Sequence, residues 1–275
     1  MAVIDKEYNK LVRKILAKGF RYEDPNRKGI HRIQIPRYTF EHSFEDGFPA
    51  ITTKRLYWKG VVGELLWFLR GETNIKYLID NGINIWNKDA YNYYLKEHLP
   101  ENGTLTFNEF TSLIKQNKKS IYHELGDLGR VYGYQLRKFG GNFDQLQWIV
   151  DIMQEVPYAT KKTVSFVNHN DKEYQALSPC HTGFKILVEP LGHNDKQFTL
   201  QFEQDSVDTF LGLPFNIASY ALLAKILEAL TGMKAKGIIG DLSNVHIYEK
   251  HLDAISTQLK NNPDTHWQPL QIKQI

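Results

Sequence analysis

The stretch Gln201-Phe-Glu-Gln-Asp-Ser-Val-Asp-Thr-Phe-Leu-Gly-Leu-Pro-Phe-Asn-Ile-Ala-Ser-Tyr220 decides how this chain is read. Just upstream and into it, Phe198, Leu200 and Phe202 alternate with Thr199, Gln201 and Glu203, the period-two pattern of a half-buried strand. That strand runs out in a polar cluster, Gln204, Asp205, Ser206 and Asp208. A tight Leu-Gly-Leu-Pro turn then delivers Asn216 to a predicted helix N-cap, two residues after Pro214. The helix beyond it, Ile217 to Leu230, is interrupted by Lys225 and Glu228, too short and too charged for a bilayer span, so it reads as a buried helix. Amides and carboxylates converging where a strand ends and a helix begins suit the edge of a planar heterocycle. An ordinary capped turn has the same composition.

Outward from this stretch, strands are predicted at 163–168 and 181–189, and again from Ile238 to Tyr248 before a helix over about 249–260. Helices are predicted at 5–18, with Gly19 as the stop, at 59–70, and from Asp144 to Glu155 ahead of Pro157. The 59–70 segment is apolar on nearly every side and reads as central. Strands and helices without strict βαβ alternation predict an α+β fold, a mixed sheet packed with helices around a long buried helix. Residues 90–125, rich in tyrosine and polar side chains, read as a surface insertion into one domain spanning 1–275.

The 275 residues are 42% hydrophobic and 24% charged, which excludes a fibrous or wholly disordered chain. A balance of 34 Lys and Arg against 31 Asp and Glu argues for no nucleic-acid or membrane partner. The N-terminus reaches Asp5 without an apolar signal core, so a cytoplasmic location is expected. No phosphate-cradling glycine motif occurs, and the scattered His residues do not have metal-ligand spacing.

There is one cysteine, Cys180, in Ala176-Leu-Ser-Pro-Cys-His-Thr-Gly-Phe184. A lone Cys is commonly a small buried hydrophobe. At the start of a strand, however, its thiol can face a cleft, and a thiolate there is a nucleophile. His181 is not its obvious partner, because adjacent strand residues point to opposite faces.

Six segments resemble the thymidylate synthase family, in family order: Phe48-Pro-Ala-Ile-Thr-Thr-Lys-Arg55, Gly63-Glu-Leu-Leu-Trp-Phe-Leu69 with Gly71-Glu-Thr-Asn-Ile75, Gly126-Asp-Leu-Gly-Arg-Val-Tyr-Gly133, Ser178-Pro-Cys-His181, Phe210 to Tyr220, and Val245-His-Ile-Tyr248. The resemblance implies a homodimeric methyltransferase that uses methylenetetrahydrofolate as co-substrate to turn dUMP into dTMP. By resemblance Cys180 adds to carbon-6 of the pyrimidine, Glu64 organises proton transfers, and Tyr132 belongs to the proton relay. Asn216 reads the base edge, favouring uracil over cytosine. His246 and Tyr248 meet the sugar, Gln204 and Ser206 the nucleotide, Trp86 and Asn87 the folate, and Asp208 both catalysis and the pterin.

Departures from the family pattern cluster at the phosphate and folate ends. Of four expected phosphate arginines, Arg27 is present; the pair lent by a partner subunit falls on Thr160 and Lys161, and the fourth on Asp205. Arginine offers phosphate a bidentate fork, lysine a point charge, and aspartate repels it. Lys162 or Lys54 is a candidate substitute. Asn87-Lys-Asp89 replaces an acidic residue and a second tryptophan, and 27 residues follow Tyr248 where a longer tail is usual. These departures leave three readings open: dUMP methylation, a hydroxymethylase or relative acting on a uridine nucleoside or nucleotide with an altered 5′ end, and a non-catalytic nucleotide-binding paralogue.

Overall fold

The computed structural model describes residues 3–24, 27–97, 104–116, 125–264 and 270. It divides into two compact units, the first comprising 1–58, 149–163 and 180–275 and the second 59–148 and 164–179.

The first unit is a mixed sheet with helices against it. Helix α1 (Val3–Lys18) buries Ile4, Tyr8, Leu11, Val12 and Ile15, one stripe at helical spacing, and the Gly19 N–H closes it on Ile15 O. Strand β1 (Phe20–Glu23) pairs antiparallel with β2 (His31–Ser43). After the short β3 (Thr163–Ser165), strands β4 (His181–Gly192) and β5 (Asp195–Gln204) form a hairpin whose turn residues His193 and Asn194 both have positive φ, as a two-residue turn requires. The short β6 (Val207–Asp208) precedes helix α8 (Gly212–Thr231), and the chain returns through β7 (Lys234–Tyr248). β7 is central: antiparallel to β2 on one side, parallel to β5 and then β6 on the other. Gly240 on β7 has no side chain because Phe40 and Phe202 fill that space; a Cβ there would lie 2.3 Å from the Phe40 ring.

Helix α8 (Gly212–Thr231) is the long buried helix, with ten of its residues in the core. It is long and apolar enough to cross a membrane by composition, yet more than half of that window is buried inside the protein. Its Tyr220 ring stacks on Phe202 of the sheet at 4.2 Å. The helix begins five residues before the position predicted from Asn216. Asp208 Oδ1 accepts from the N–H groups of Phe210 and Leu211, and Pro214 falls in the first turn, where a missing N–H costs nothing. Asn216 is therefore inside the helix and not its cap. Helix α9 (Leu252–Gln258) follows β7 after one tight turn.

The second unit is helical: α2 (Trp58–Leu69), α3 (Lys76–Asp80), α4 (Asn87–Glu97), α5 (Phe107–Gln116), α6 (Tyr132–Lys138) and the start of α7 (Gln145–Glu155). Asp144 caps α7 through the Gln147 N–H. Helix α2 is less enclosed than its apolar composition predicts: Val61, Leu65 and Trp67 are buried, but Leu66 is 37% exposed. Composition alone carries no direction once every side is apolar. Within 90–125, α4 and α5 bury Tyr94, Phe110 and Ile114, with Tyr91 and Phe107 completing an aromatic group; 98–103 and 117–124 lie outside the described residues.

Candidate active site

In the first unit, the polar residues of the opening stretch assemble at the end of β5. Gln204 is buried, and its Nε2 donates to Asn216 Oδ1 at 3.2 Å, so the strand end and the second turn of α8 present their amides together. Gln204 Oε1 is buried without a hydrogen-bond partner among the described residues. A buried orphan acceptor invites a donor from a ligand. A Cβ at Gly212 would come within 3.3 Å of Asn216 Oδ1, so glycine there leaves the Asn216 amide uncrowded.

Cys180 is half-buried and immediately precedes β4. Its carbonyl accepts from the Asp205 N–H at 2.8 Å, joining the cysteine to the polar turn. His181 turns away from that junction, as the alternation of a strand requires: its Nδ1 hydrogen-bonds the Tyr220 hydroxyl at 3.1 Å, and burial pushes the imidazole down to about 4, so it is neutral at pH 7. Sequence reading had no signal for that Tyr220 contact beyond an aromatic on a helix. Ser206 is half-buried, and Asp205 is exposed.

His246 and Tyr248 share one face of β7, as two residues apart on a strand must, with ring centroids 5.0 Å apart. His246 Nδ1 donates to Asn244 O at 2.8 Å, which leaves Nε2 as an acceptor. Desolvation lowers the His246 pKa, keeping it neutral, and raises that of Tyr248. The Tyr248 hydroxyl donates to Asp24 Oδ2 at 3.3 Å; Arg32, directly across the ladder, pairs with the same oxygen at 3.4 Å. Exposed Arg27 lies over the Tyr248 ring at 5.8 Å.

The two candidate substitute cations, Lys162 and Lys54, both bond main-chain carbonyls. Lys162 is buried, and its ammonium donates to the carbonyls of Pro157 (2.7 Å) and Ala159, which fixes the turn after α7. Lys54 donates to Phe210 O and sits 3.9 Å from the centre of that ring. Both are engaged in holding backbone. Thr160 and Lys161 are exposed.

The second unit carries a different cluster. Glu64 on α2 accepts from the Trp86 indole N–H at 2.7 Å. Burial pushes its carboxyl up to about 7, and that single N–H, which favours the charged form, only partly opposes the shift. Trp86 packs against Trp67, Phe68 and Tyr132, and Tyr132 in turn against Phe166. The glycine-rich 126–133 segment delivers Tyr132: Gly129 has φ 71, and a Cβ on it would lie 2.0 Å from Tyr174 O. Asn87 does not join this cluster. It lines a separate cleft of about 560 Å³ with Asn84, Lys88, Thr111 and Lys115, and its Oδ1 is buried without a partner among the described residues.

Among the described residues, no three His, Cys, Asp or Glu side chains are grouped to hold a metal ion. The chemistry on offer is thus a half-buried cysteine tied through its main chain to a polar turn in one unit and a desolvated carboxyl bonded to an indole in the other.

Comparison with known proteins gives this arrangement a context. A family model described as thymidylate synthase matches residues 6–275. The thymidylate synthase of Mycoplasma genitalium is 40% identical over 254 residues, covering 92% of this chain and 85% of that protein. The Mycoplasma pneumoniae and Mesoplasma florum proteins of the same name are each 38% identical, each covering 94% of this chain and 86% of the relative.

Proposed function

This chain belongs to the thymidylate synthase family and is a methyltransferase of nucleotide biosynthesis; from that premise we propose how its residues methylate carbon-5 of dUMP to give dTMP. The observation that carries the reading is the Asp205–Cys180 main-chain bond, which ties the cysteine to the residue directly after Gln204, whose amide meets Asn216. Carbon-6 of a uracil ring is electrophilic because it is conjugated to the carbon-4 carbonyl. The Cys180 thiolate forms the sulfur–carbon-6 bond, and the displaced π electrons make carbon-5 an enolate-like nucleophile. Asn216 both donates and accepts, matching the uracil carbonyl and ring N–H, with the Gln204 amide beside it. His246, through Nε2, and Tyr248 receive the sugar hydroxyl.

Glu64, poised near pH 7, exchanges protons with the ring through water, with Tyr132 in the relay. The residues present suit a reduced folate. Trp86 and Tyr132 offer aromatic faces, and Asp208, one oxygen fixed by two main-chain N–H groups, is a ready acceptor for the donor-rich edge of a pterin. When bound, the folate supplies the one-carbon unit and the hydride.

Arg27 and Lys161 take the 5′-phosphate, Lys161 from the partner in a homodimer. A soluble, cytoplasmic enzyme accords with α8 serving as a core helix. The names of the relatives do not favour the hydroxymethylase or binding-only alternatives.

The test is mass spectrometry of the protein with a fluorinated dUMP and methylenetetrahydrofolate, beside product analysis with dUMP and with deoxyuridine. A covalent adduct at Cys180 and a methyl product from dUMP are expected. A hydroxymethyl product, or turnover of deoxyuridine in preference to dUMP, would overturn the reading.

A further inference from the structure

The structure assigns to Asn244, an exposed residue of β7, a positioning role in the first unit, holding the Cys180–Asp205 junction and the His246 ring at once; this rests on the roles given to Cys180 and His246 above. Three independent features of the sheet converge on this residue.

The first is a break in the ladder. β7 pairs Leu242 with Gln204 of β5 and then Val245 with Val207 of β6, which leaves Ser243 and Asn244 opposite Asp205 and Ser206. On the β2 side, Arg37 pairs with Ser243 and Ile35 with Val245, so Pro36 stands opposite Asn244. Proline has no N–H to give, so the ladder is interrupted on both flanks of one residue.

The second is the backbone. Asn244 has φ 51. Among the described residues, the other non-glycine positive φ values belong to His193 and Asn194 in the hairpin turn, where they are expected. A left-handed residue in the middle of a long strand is a local strain that persists only when its surroundings hold it, and asparagine tolerates it better than most side chains.

The third is what the conformation achieves. Asn244 Nδ2 donates to Asp205 O at 2.8 Å, and the Asp205 N–H donates to Cys180 O at 2.8 Å. Asn244 Oδ1 accepts from Gln34 Nε2 at 3.1 Å, and Gln34 in turn accepts from the Tyr22 hydroxyl. The Asn244 carbonyl accepts from His246 Nδ1. The side chain replaces the missing ladder bond, and the carbonyl selects the His246 tautomer that presents Nε2 outward. Glycine would supply the φ without the amide, and alanine would supply neither.

The experiment compares the full-length protein with N244G and N244A by hydrogen exchange without substrate, by the rate of the Cys180 adduct with fluorinated dUMP and folate, and by thermal melting. In N244G, amide exchange in the 203–207 segment is expected to rise about tenfold while the 184–190 strand is unchanged. Adduct formation is expected to slow by about tenfold or more, since small misplacements of a reacting group carry such losses. N244A is expected to be worse on both counts. Unchanged exchange at 203–207 in N244G overturns the assignment, as does raised exchange with an adduct rate within about twofold of the parent. Faster exchange across the 184–190 strand as well would also overturn it, reducing Asn244 to general stability. If the parent forms no adduct, the functional reading fails, and the exchange data still decide whether Asn244 holds the junction.

Discussion

The two units prepare reactive groups by opposite means. In the second, Glu64 is tuned by deprivation: its carboxyl is desolvated and given one N–H, from a Trp86 that itself packs on Trp67 and Phe68, so burial decides its protonation. In the first, the Cys180 main chain and the His246 ring are held by direction: a hydrogen-bonded chain from Tyr22 through Gln34 and Asn244 to Asp205 fixes the one and selects the tautomer of the other, while desolvation keeps His246 neutral. Desolvation acts without angular precision and survives small shifts. A hydrogen-bond chain fails when any link moves. The carboxyl cluster should therefore be read by pH, and the thiol cluster by geometry.

The contrast can be broken most directly at the thiol. C180S should lower turnover by about four orders of magnitude or more, because an alcohol near neutral pH is a far weaker nucleophile than a thiolate. Measurable methylation above about a thousandth of the parent rate would remove Cys180 from the chemistry altogether.

At the carboxyl, E64Q should cut kcat by about two to three orders of magnitude, within the usual range for general acid–base groups, and should erase the limb of the pH–rate profile near 7. It also alters stability in a definite sense. The unfolded carboxyl titrates near its ordinary value and the folded one near 7, so the parent loses about 3 kcal/mol as pH rises from about 4.5 to about 7. Below that window both states are protonated and the penalty is absent. Urea unfolding of E64Q at several pH values should show this slope flattened; a slope equal to the parent's would mean that Glu64 is not the desolvated group.

The smallest effect should come from W86F. The indole N–H favours the charged carboxylate, so its removal raises the Glu64 pKa further and moves the same kinetic limb to higher pH without abolishing turnover. A limb that stays in place, or moves down, would show that the Trp86 contact does not bear on protonation.

What was legible in the sequence were the parts whose signal is local. Alternation at 198–204 and the apolar run after Asn216 foreshadowed the strand and the buried helix. The start of α8 differs from the expectation because no side chain caps it: Asp208 holds the turn just before the helix through the N–H groups of Phe210 and Leu211, and Asn216 falls inside the helix. The fate of Lys162 was invisible, since a lysine in a run of two reads as a solvated pair, whereas this one ends among carbonyls of its own turn. Asn244 gave no sign at all. An asparagine inside a strand pattern counts against the strand, and its worth depends on Pro36 and Gln34, which lie far off in the chain.

That distance carries a consequence for the order in which the molecule is made. β7 is the spine of the sheet, yet it is drawn from residues 234–248, and its partner β2 lies near the other end; Gln34 and Asn244 are 210 positions apart. During synthesis from the N-terminus, β1 and β2 must wait as an unclosed edge until residues 234–248 have emerged. Only then can the left-handed asparagine, its proline counterpart and the cysteine turn lock together. The nucleophile's setting is thus among the last things the protein acquires, and a chain stopped short of β7 leaves the ribosome without one.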